Sequence, residues 1–365
     1  MLIPHLGGGG AERVTALLAR SLSREKYELH LGLITQAQSA ADGLPSSVQI
    51  HALDAPRIRA AAFRLLQLVR RLKPDLVLSS MFHLNFLVLL LRPFFPRGTR
   101  VLVRQNGTAS STLEGLPVYT RSLYRFLYRR ADKVICQTRA MAQDLAGQFQ
   151  LRQDRLTVLP NPVDFDEIRA CTEPMPAPWA GPSPHLLAVG RLSREKGFDL
   201  LLQALASIRT QFPNTNLLLA GTGPEQAALQ AQCRALQLET AVCFAGHVPR
   251  PWFYFSDATL LVLPSRHEGL PNALLEAAAA GLPLVALPAS GGVADLLRDQ
   301  PGVWLAPEIS AEALAASLLA ALETLQPGDR FAHSFVEQFR IDRAIQVYES
   351  LIDQTLRASI PEKQP

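Results

Sequence analysis

Two carboxylates with seven residues between them, Glu268 and Glu276, bracket the stretch Gly269-Leu270-Pro271-Asn272 at the head of an alanine-rich segment closed by Gly281 and Pro283. Pro271 suits a first helical position, so the spacing puts Glu268 in the loop before a helix and Glu276 one or two turns inside it. A helix N-terminus can receive phosphate through its free N–H groups and its dipole. Carboxylates there repel phosphate unless they accept hydrogen bonds from hydroxyls, so these residues suit the holding of a sugar beside a phosphate. Two unrelated surface glutamates are the alternative, and the apolar, irregular neighbourhood fits that poorly.

A second basic stretch, Gly190-Arg191-Leu192-Ser193-Arg194-Glu195-Lys196-Gly197, follows an apolar run at the edge where open α/β sheets bind ligands. Fixed Arg191 and Lys196 could hold a diphosphate and stabilise the charge it gathers on leaving. A solvated basic loop would look the same. The glycine run Gly7 to Gly10 stands between a short apolar segment and a helical pattern, which lets backbone approach a phosphate or sugar. A dinucleotide fingerprint needs glycine or alanine where Glu12 or Arg13 stands, so NAD is disfavoured. A ligand-free turn is an open alternative for these glycines.

The elements that must position these residues alternate between short β-rich runs and helix-period segments, the pattern of parallel sheets crossed by helices. In the first half, strands are expected at Leu29 to Ile34, Leu76 to Ser79, Arg100 to Arg104, Lys133 to Cys136 and Thr157 to Leu159. In the second half they are expected at Leu186 to Val189, Leu217 to Ala220, Val242 to Phe244, Leu260 to Leu263 and Leu284 to Leu287. Helices are expected at 199–211, 225–236, 272–280 and 340–356. The proline-rich segment 171–184 reads as a linker. The expected organisation is therefore a Rossmann-like domain over 1–170, the linker, a second Rossmann-like domain over 185–340, and a helix and tail over 341–365 free to pack against either domain, the first included.

Length and composition agree. At 365 residues with 48% hydrophobic and 19% charged residues the chain is globular and about two domains long. Four cysteines, with no Cys-x-x-Cys pair, point to a reducing cytoplasm and away from zinc ribbons. Ser79, Ser80, His83, Asn85 and Arg92 break the most apolar stretch, and the N-terminus lacks the pattern of a signal peptide. The expectation is a cytoplasmic chain. Residues 1–160 carry 22 Lys+Arg against 10 Asp+Glu, a net +12, while the remainder nets −8. Such polarity turns the first half toward something anionic, whether nucleic acid, membrane or phosphorylated substrate. No nucleic-acid motif accompanies it.

Gly9-Gly10-Ala11-Glu12-Arg13, Asn161-Pro162-Val163-Asp164, Gly190-Arg191 with Lys196-Gly197, Gly221-Thr222-Gly223-Pro224 and the glutamate pair occur in that order, and together they resemble the retaining glycosyltransferases of the GT-B fold, family four, also called glycosyl transferases group 1. The resemblance spans nearly the whole chain. It implies an α/β fold of two Rossmann-like domains with parallel sheets facing across a cleft, the first domain taking the acceptor and the second the nucleotide sugar. It also implies a nucleoside-diphosphate sugar, most simply UDP-linked, as co-substrate, with no other cofactor and no metal. By position, Arg191 and Lys196 are implied to bind the donor diphosphate and Glu276 the ribose. Glu268 with Gly269 would hold the transferred sugar, Leu270 and Asn272 complete the donor loop, Val248 passes the base, and Gly8, Gly9 and Gly10 close over the phosphates. Retention in this family is explained by front-face attack, which needs no nucleophilic carboxylate. Glu12, His83 and the turn Arg104-Gln105-Asn106 are the first-half candidates for catalysis. Two departures are visible: only Met1 to Leu6 precede the glycine loop, and Pro288-Ala289-Ser290-Gly291-Gly292 replaces the family's usual segment.

Arg121, Arg125 and Arg129 recur beside Tyr124 and Tyr128, and Phe94, Phe95, Arg97 and Arg100 form a second mixed cluster. Basic residues near an anionic leaflet contribute about 1 kcal/mol each. These clusters suggest a peripheral enzyme with a lipid-linked or glycan acceptor in surface polysaccharide synthesis, docked on anionic membrane and using no nucleic acid; core packing of the aromatics with solvated arginines is the alternative. A GDP-mannose donor, or a noncatalytic sugar-nucleotide or glycan-binding module on the same fold, are the rivals.

Overall fold

Short runs of two to five residues, most of them apolar, flanked by turns and crossed by helices, form the strands of two parallel sheets in a computed structural model that describes residues 1–7, 9–35, 43–113, 117–170, 179 and 181–358. The first sheet contains β1 (Leu2–Ile3), β2 (His30–Leu33), β3 (Gln49–Ala52), β4 (Leu76–Ser80), β5 (Arg100–Arg104), β6 (Lys133–Cys136) and β7 (Leu156–Val158), in the order β3-β2-β1-β4-β5-β6-β7. The second contains β8 (His185–Val189), β9 (Asn216–Ala220), β10 (Val242–Gly246), β11 (Leu260–Leu263), β12 (Leu284–Ala286) and β13 (Val303–Leu305), in the order β10-β9-β8-β11-β12-β13. In both sheets the strand order reverses beside the first strand, at β1/β4 and at β8/β11. Such switch points open a crevice at the carboxyl edge, where ligands bind in open α/β sheets.

The chain divides into two units. One is Met1–Pro162 joined by the helix Ile341–Arg357, and the other is Val163–Arg340. The break falls at Pro162, ahead of the linker expected over 171–184, of which residues 171–178 and 180 lie outside the described residues. The physical reason is local. Asp164 caps the helix Phe165–Arg169, its Oδ1 accepting from Glu167 N at 2.9 Å, and Phe165 and Ile168 sink into the same core as Leu274 and Ala277. Val163 N donates to Phe339 O at 2.8 Å. Residues 163–170 therefore fold with the second unit, and the Asp164-Phe165-Asp166 sequence serves as a helix cap.

The helix Ile341–Arg357 returns to the first unit. Ile345, Tyr348, Leu351 and Ile352 pack with Val14 and Leu18 of the helix Gly10–Ser21 and with Leu78, Leu102 and Ile135 of the sheet. At its edge, Glu349 accepts from Ser23 N at 2.9 Å and from Lys26 Nζ at 2.8 Å, and Tyr27 donates to Asp353 at 2.6 Å. The opposite face of the sheet is covered by the helices Ala62–Leu72, Phe82–Leu91, Val118–Tyr128 and Arg139–Phe149 over a separate apolar core. There Tyr124 and Tyr128 are buried, contrary to the expectation that they flank an exposed arginine stripe. Burial pushes both phenols up. The helix instead exposes Tyr119, Leu123 and Phe126, with the Arg130 guanidinium 4.7 Å from the Phe126 ring centre. Phe94 and Leu90 are also exposed, while Phe95 is buried and Arg100 pairs with Asp132 at 3.2 Å.

Candidate active site

In the second unit, β8 and β11 are hydrogen-bonded neighbours at the switch point, so the loops that leave their carboxyl ends are adjacent. The loop after β8 is pinned to the segment after β9: Gly190 N donates to Ala220 O at 3.0 Å and Leu192 N to Thr222 O at 3.0 Å. This gives the Gly221-Thr222-Gly223 sequence a structural task. The turn Arg194–Lys196 then passes into Gly197, at φ 67°, where a side chain would run into Pro264 O. Only glycine permits that approach without strain, and it brings Lys196 beside the loop that follows β11.

There Lys196 Nζ donates to Glu268 Oε1 at 2.6 Å, and Ser265 Oγ donates to the same oxygen at 2.6 Å. The Glu268 side chain is 7% exposed and that of Lys196 25%. Both bonds end on Oε1. The loop is tied to its surroundings through the main chain: Arg266 N donates to Glu195 O at 2.8 Å and Glu268 N to Ser290 O at 3.2 Å. Gly291, at φ 100°, lies directly against Glu268 O, so the Pro288–Gly292 departure forms the floor of this loop. A second pair braces it from outside: both Arg266 Nη groups donate to Asp199, at 2.7 and 2.6 Å. Burial pushes the Asp199 carboxyl up, but the Arg266 hydrogen bonds and charge outweigh this and hold it below the usual range.

The helix runs Asn272–Ala279, in line with the expected 272–280, and Pro271 occupies the cap position, one residue before the first helical position that it suits. The cause is that Pro271 keeps an extended ψ of 104°. Glu276 is buried on this helix, Asn272 is half-buried, and Gly269 and Leu270 are buried in the loop before it. Arg191 is exposed at the end of β8, and Val248 lies just past β10, half-buried against the core below. The second unit thus brings Lys196 and Glu268 into contact and sets Arg191 and Glu276 on the elements that flank them. Sequence reasoning missed Ser265 and the Asp199–Arg266 brace. Ser265 carried a signal, being three residues before Glu268, whereas 67 residues separate the brace partners.

The first unit holds the other candidates. Gly8 lies outside the described residues. Gly9 caps the helix Gly10–Ser21, and the Glu12 carboxylate folds back against it, 3.6 Å from His5 Nδ1. A phosphate that approached this backbone would meet a carboxylate of the chain itself. His83 is exposed on the helix Phe82–Leu91, its ring edge-on to Phe82 with centres 5.9 Å apart. Arg104 is 1% exposed, and its guanidinium donates to the Asn106 and Asn161 side-chain oxygens. Among the described residues no group of three or more His, Cys, Asp or Glu is placed to hold a metal, and no helix is long and apolar enough to cross a membrane.

The family described as glycosyl transferases group 1 matches residues 175–338, and that described as glycosyltransferase family 4 matches residues 8–167. The glycogen synthase of Mycobacterium tuberculosis is 30% identical over 304 residues, 81% of this chain and 72% of its own length. The N-acetylgalactosamine-N,N'-diacetylbacillosaminyl-diphospho-undecaprenol 4-alpha-N-acetylgalactosaminyltransferase of Campylobacter jejuni is 26% identical over 352 residues, 92% of each chain. A Methanocaldococcus jannaschii glycosyltransferase is 26% identical over 254 residues, and the match spans 66% of this chain but only 62% of that protein. Among solved structures, Anabaena HepE in complex with UDP and glucose superposes with a TM-score of 0.77 at 19% identity, covering 96% of this chain and 98% of that one.

Proposed function

The chain belongs to the glycosyl transferases group 1 family and has the GT-B fold of two Rossmann-like units, and on that footing we propose that it transfers a hexose or N-acetylhexosamine from a UDP-linked donor, with retention, to a lipid-linked or glycan acceptor of surface polysaccharide. The observation that carries this is the Lys196–Glu268 pair at the carboxyl edge of the second sheet, beside exposed Arg191. Lys196 and Arg191 lie on the diphosphate, and the charge that gathers on the leaving oxygen is met by cations already in place. Glu268 Oε2 accepts from a hydroxyl of the transferred sugar, and Glu276 from the ribose. The C1–O bond to phosphate breaks, the acceptor oxygen bonds to C1 on the same face, and its proton passes to the leaving phosphate oxygen. Arg191 and Lys196 supply the positive charge that a metal supplies to diphosphates elsewhere, which favours a metal-independent reaction.

UDP and glucose bound to the HepE structure favour UDP over GDP. The Lys196–Glu268 contact weighs against a noncatalytic module. For the first unit we propose contact with an anionic leaflet on the cytoplasmic side. Tyr119, Leu123 and Phe126 form an exposed stripe on the helix Val118–Tyr128, in a region that carries a net +12. Inserted apolar side chains and basic residues act together in such docking.

Thermal unfolding with UDP, GDP, ADP and CMP tests the donor site, wild type beside Glu276→Ala. A ligand at 100 times its dissociation constant adds about 2.7 kcal/mol. Stabilisation by UDP alone, lost in the variant, is the expected result. Stabilisation by GDP alone transfers the proposal to a GDP-mannose donor, and no response to any nucleotide overturns it.

A further inference from the structure

A fully buried arginine with no carboxylate beside it needs a reason, because an uncompensated buried charge is costly. Arg104, the last residue of β5, is such a group: among the described residues its guanidinium meets only the side-chain oxygens of Asn106 and Asn161. Asn106 lies in the loop after β5, and Asn161 in the segment after β7. Neighbouring strands are about 4.8 Å apart, so the guanidinium reaches past the end of β6, the strand between them. The residue that follows β6 is Gln137, 3% exposed, and among the described residues neither its Nε2 nor its Oε1 has a hydrogen-bond partner. Asn106 Nδ2 is likewise buried and unpartnered, and Asn85, which donates to Arg104 O at 2.9 Å, has its own Oδ1 unpartnered.

Buried polar groups are satisfied in nearly every native protein, so a cluster of orphans at the ligand-binding edge of a parallel sheet marks a place where something from outside the chain belongs. The orphans comprise both donors and acceptors. A sugar hydroxyl both donates and accepts, and so matches them where a simple anion matches only the donors. We infer that Gln137 and Asn106, the latter held by Arg104, form a hydroxyl-reading subsite for a sugar of the acceptor, with Arg104 as the positioning residue of Asn106. This rests on the reading of the chain as a glycosyltransferase whose first unit takes the acceptor. Arg104 orients the Asn106 and Asn161 amides through its forked donors, a task lysine cannot perform with a single ammonium.

The test uses the full chain with UDP present and saturation-transfer NMR on the methyl glycosides of glucose, galactose, N-acetylglucosamine and N-acetylgalactosamine. The wild type is expected to show transfer to at least one glycoside. Gln137→Leu, nearly equal in volume, is expected to reduce it at least fivefold while its melting temperature stays level or rises, because an unpartnered amide has been removed from the interior. A merely structural glutamine would give the reverse, a lower melting temperature with the glycoside signal retained. Arg104→Met and Arg104→Lys are both expected to lose the signal. If Arg104→Met does not fold, Gln137→Leu decides alone. An undiminished signal in Gln137→Leu means that water alone fills the site and overturns the inference, as does a wild type that binds none of the four glycosides. UDP stabilisation is read in the same samples: its absence in the wild type defeats the nucleotide-sugar proposal, whereas its presence with an unaltered glycoside signal defeats only the subsite.

Discussion

Lys196 and Glu268, 72 residues apart in sequence, meet at 2.6 Å through Oε1 of a carboxylate that also accepts from Ser265. The contact sets a fixed cation and a fixed anion side by side at the edge of the second sheet. Each therefore holds the other in place before a ligand arrives, and a diphosphate that binds there meets an ammonium already oriented.

Substitutions separate the two roles. Lys196→Ala is expected to lower kcat/KM for transfer by about 100-fold or more, the usual cost of removing one preplaced group that stabilises developing charge. Glu268→Gln keeps an oxygen for Ser265 but loses the charge, and it is expected to depress kcat while changing UDP affinity by less than about threefold. Steady-state kinetics beside calorimetric titration with UDP reads both. Equal losses in transfer and in nucleotide affinity for Glu268→Gln would refute this division.

Glu276 sits buried on the helix Asn272–Ala279, where its carboxylate suits the ribose hydroxyls. Hydrogen bonds to a charged group contribute about 1.5–3 kcal/mol each. Glu276→Ala is accordingly expected to weaken UDP binding by about 10- to 100-fold by titration calorimetry, and unchanged binding would remove Glu276 from the site.

The second unit also carries a pH lever. His333 is buried with Nε2 2.7 Å from Leu282 O, and burial pushes its pKa below the ordinary 6.5 although the backbone bond works the other way. The unfolded chain then binds the proton more readily than the folded one. The stability this contributes is present above pH 6.5 and is lost as pH falls from there toward the lowered folded value. His333→Gln, which retains a donor for Leu282 O, is expected to flatten the decline in urea midpoint between pH 7.5 and pH 5.5. An identical decline in both proteins would clear His333 of the effect.

On the first unit, Leu123→Ser with Phe126→Ser is expected to reduce binding to vesicles containing anionic lipid by at least about tenfold, since each buried apolar side chain contributes about 1.5–3 kcal/mol. Raising salt is expected to weaken what remains. Flotation that is insensitive to both changes would remove this helix from the membrane contact.

Period and composition mark most of both sheets, because strands such as β5, β6 and β11 are apolar or β-branched runs bounded by turns. β3 escaped because it is an exposed edge strand, Gln49–Ala52, with no apolar run to signal it. β13 is three residues long, again at an edge. The site followed the same rule. Lys196 and Glu268 were legible as types at the ends of strands, but their contact depends on Gly197 passing under Pro264, a long-range approach that spacing cannot encode. Tyr124 and Tyr128 misled because an amphipathic helix with aromatics on one face and arginines on another does not announce which face meets the core.

The return of the helix Ile341–Arg357 to the first unit has a consequence for biogenesis. The first sheet is complete once β7 has been made, yet one of its faces lacks Ile345, Tyr348 and Leu351 until nearly two hundred further residues have been synthesised. The second unit, Val163–Arg340, is continuous and emerges whole in the interval. On the ribosome the later-made unit is therefore the first able to finish folding, while the earlier one waits with the apolar surface around Val14, Leu78 and Leu102 uncovered, a demand on chaperones set by chain order alone.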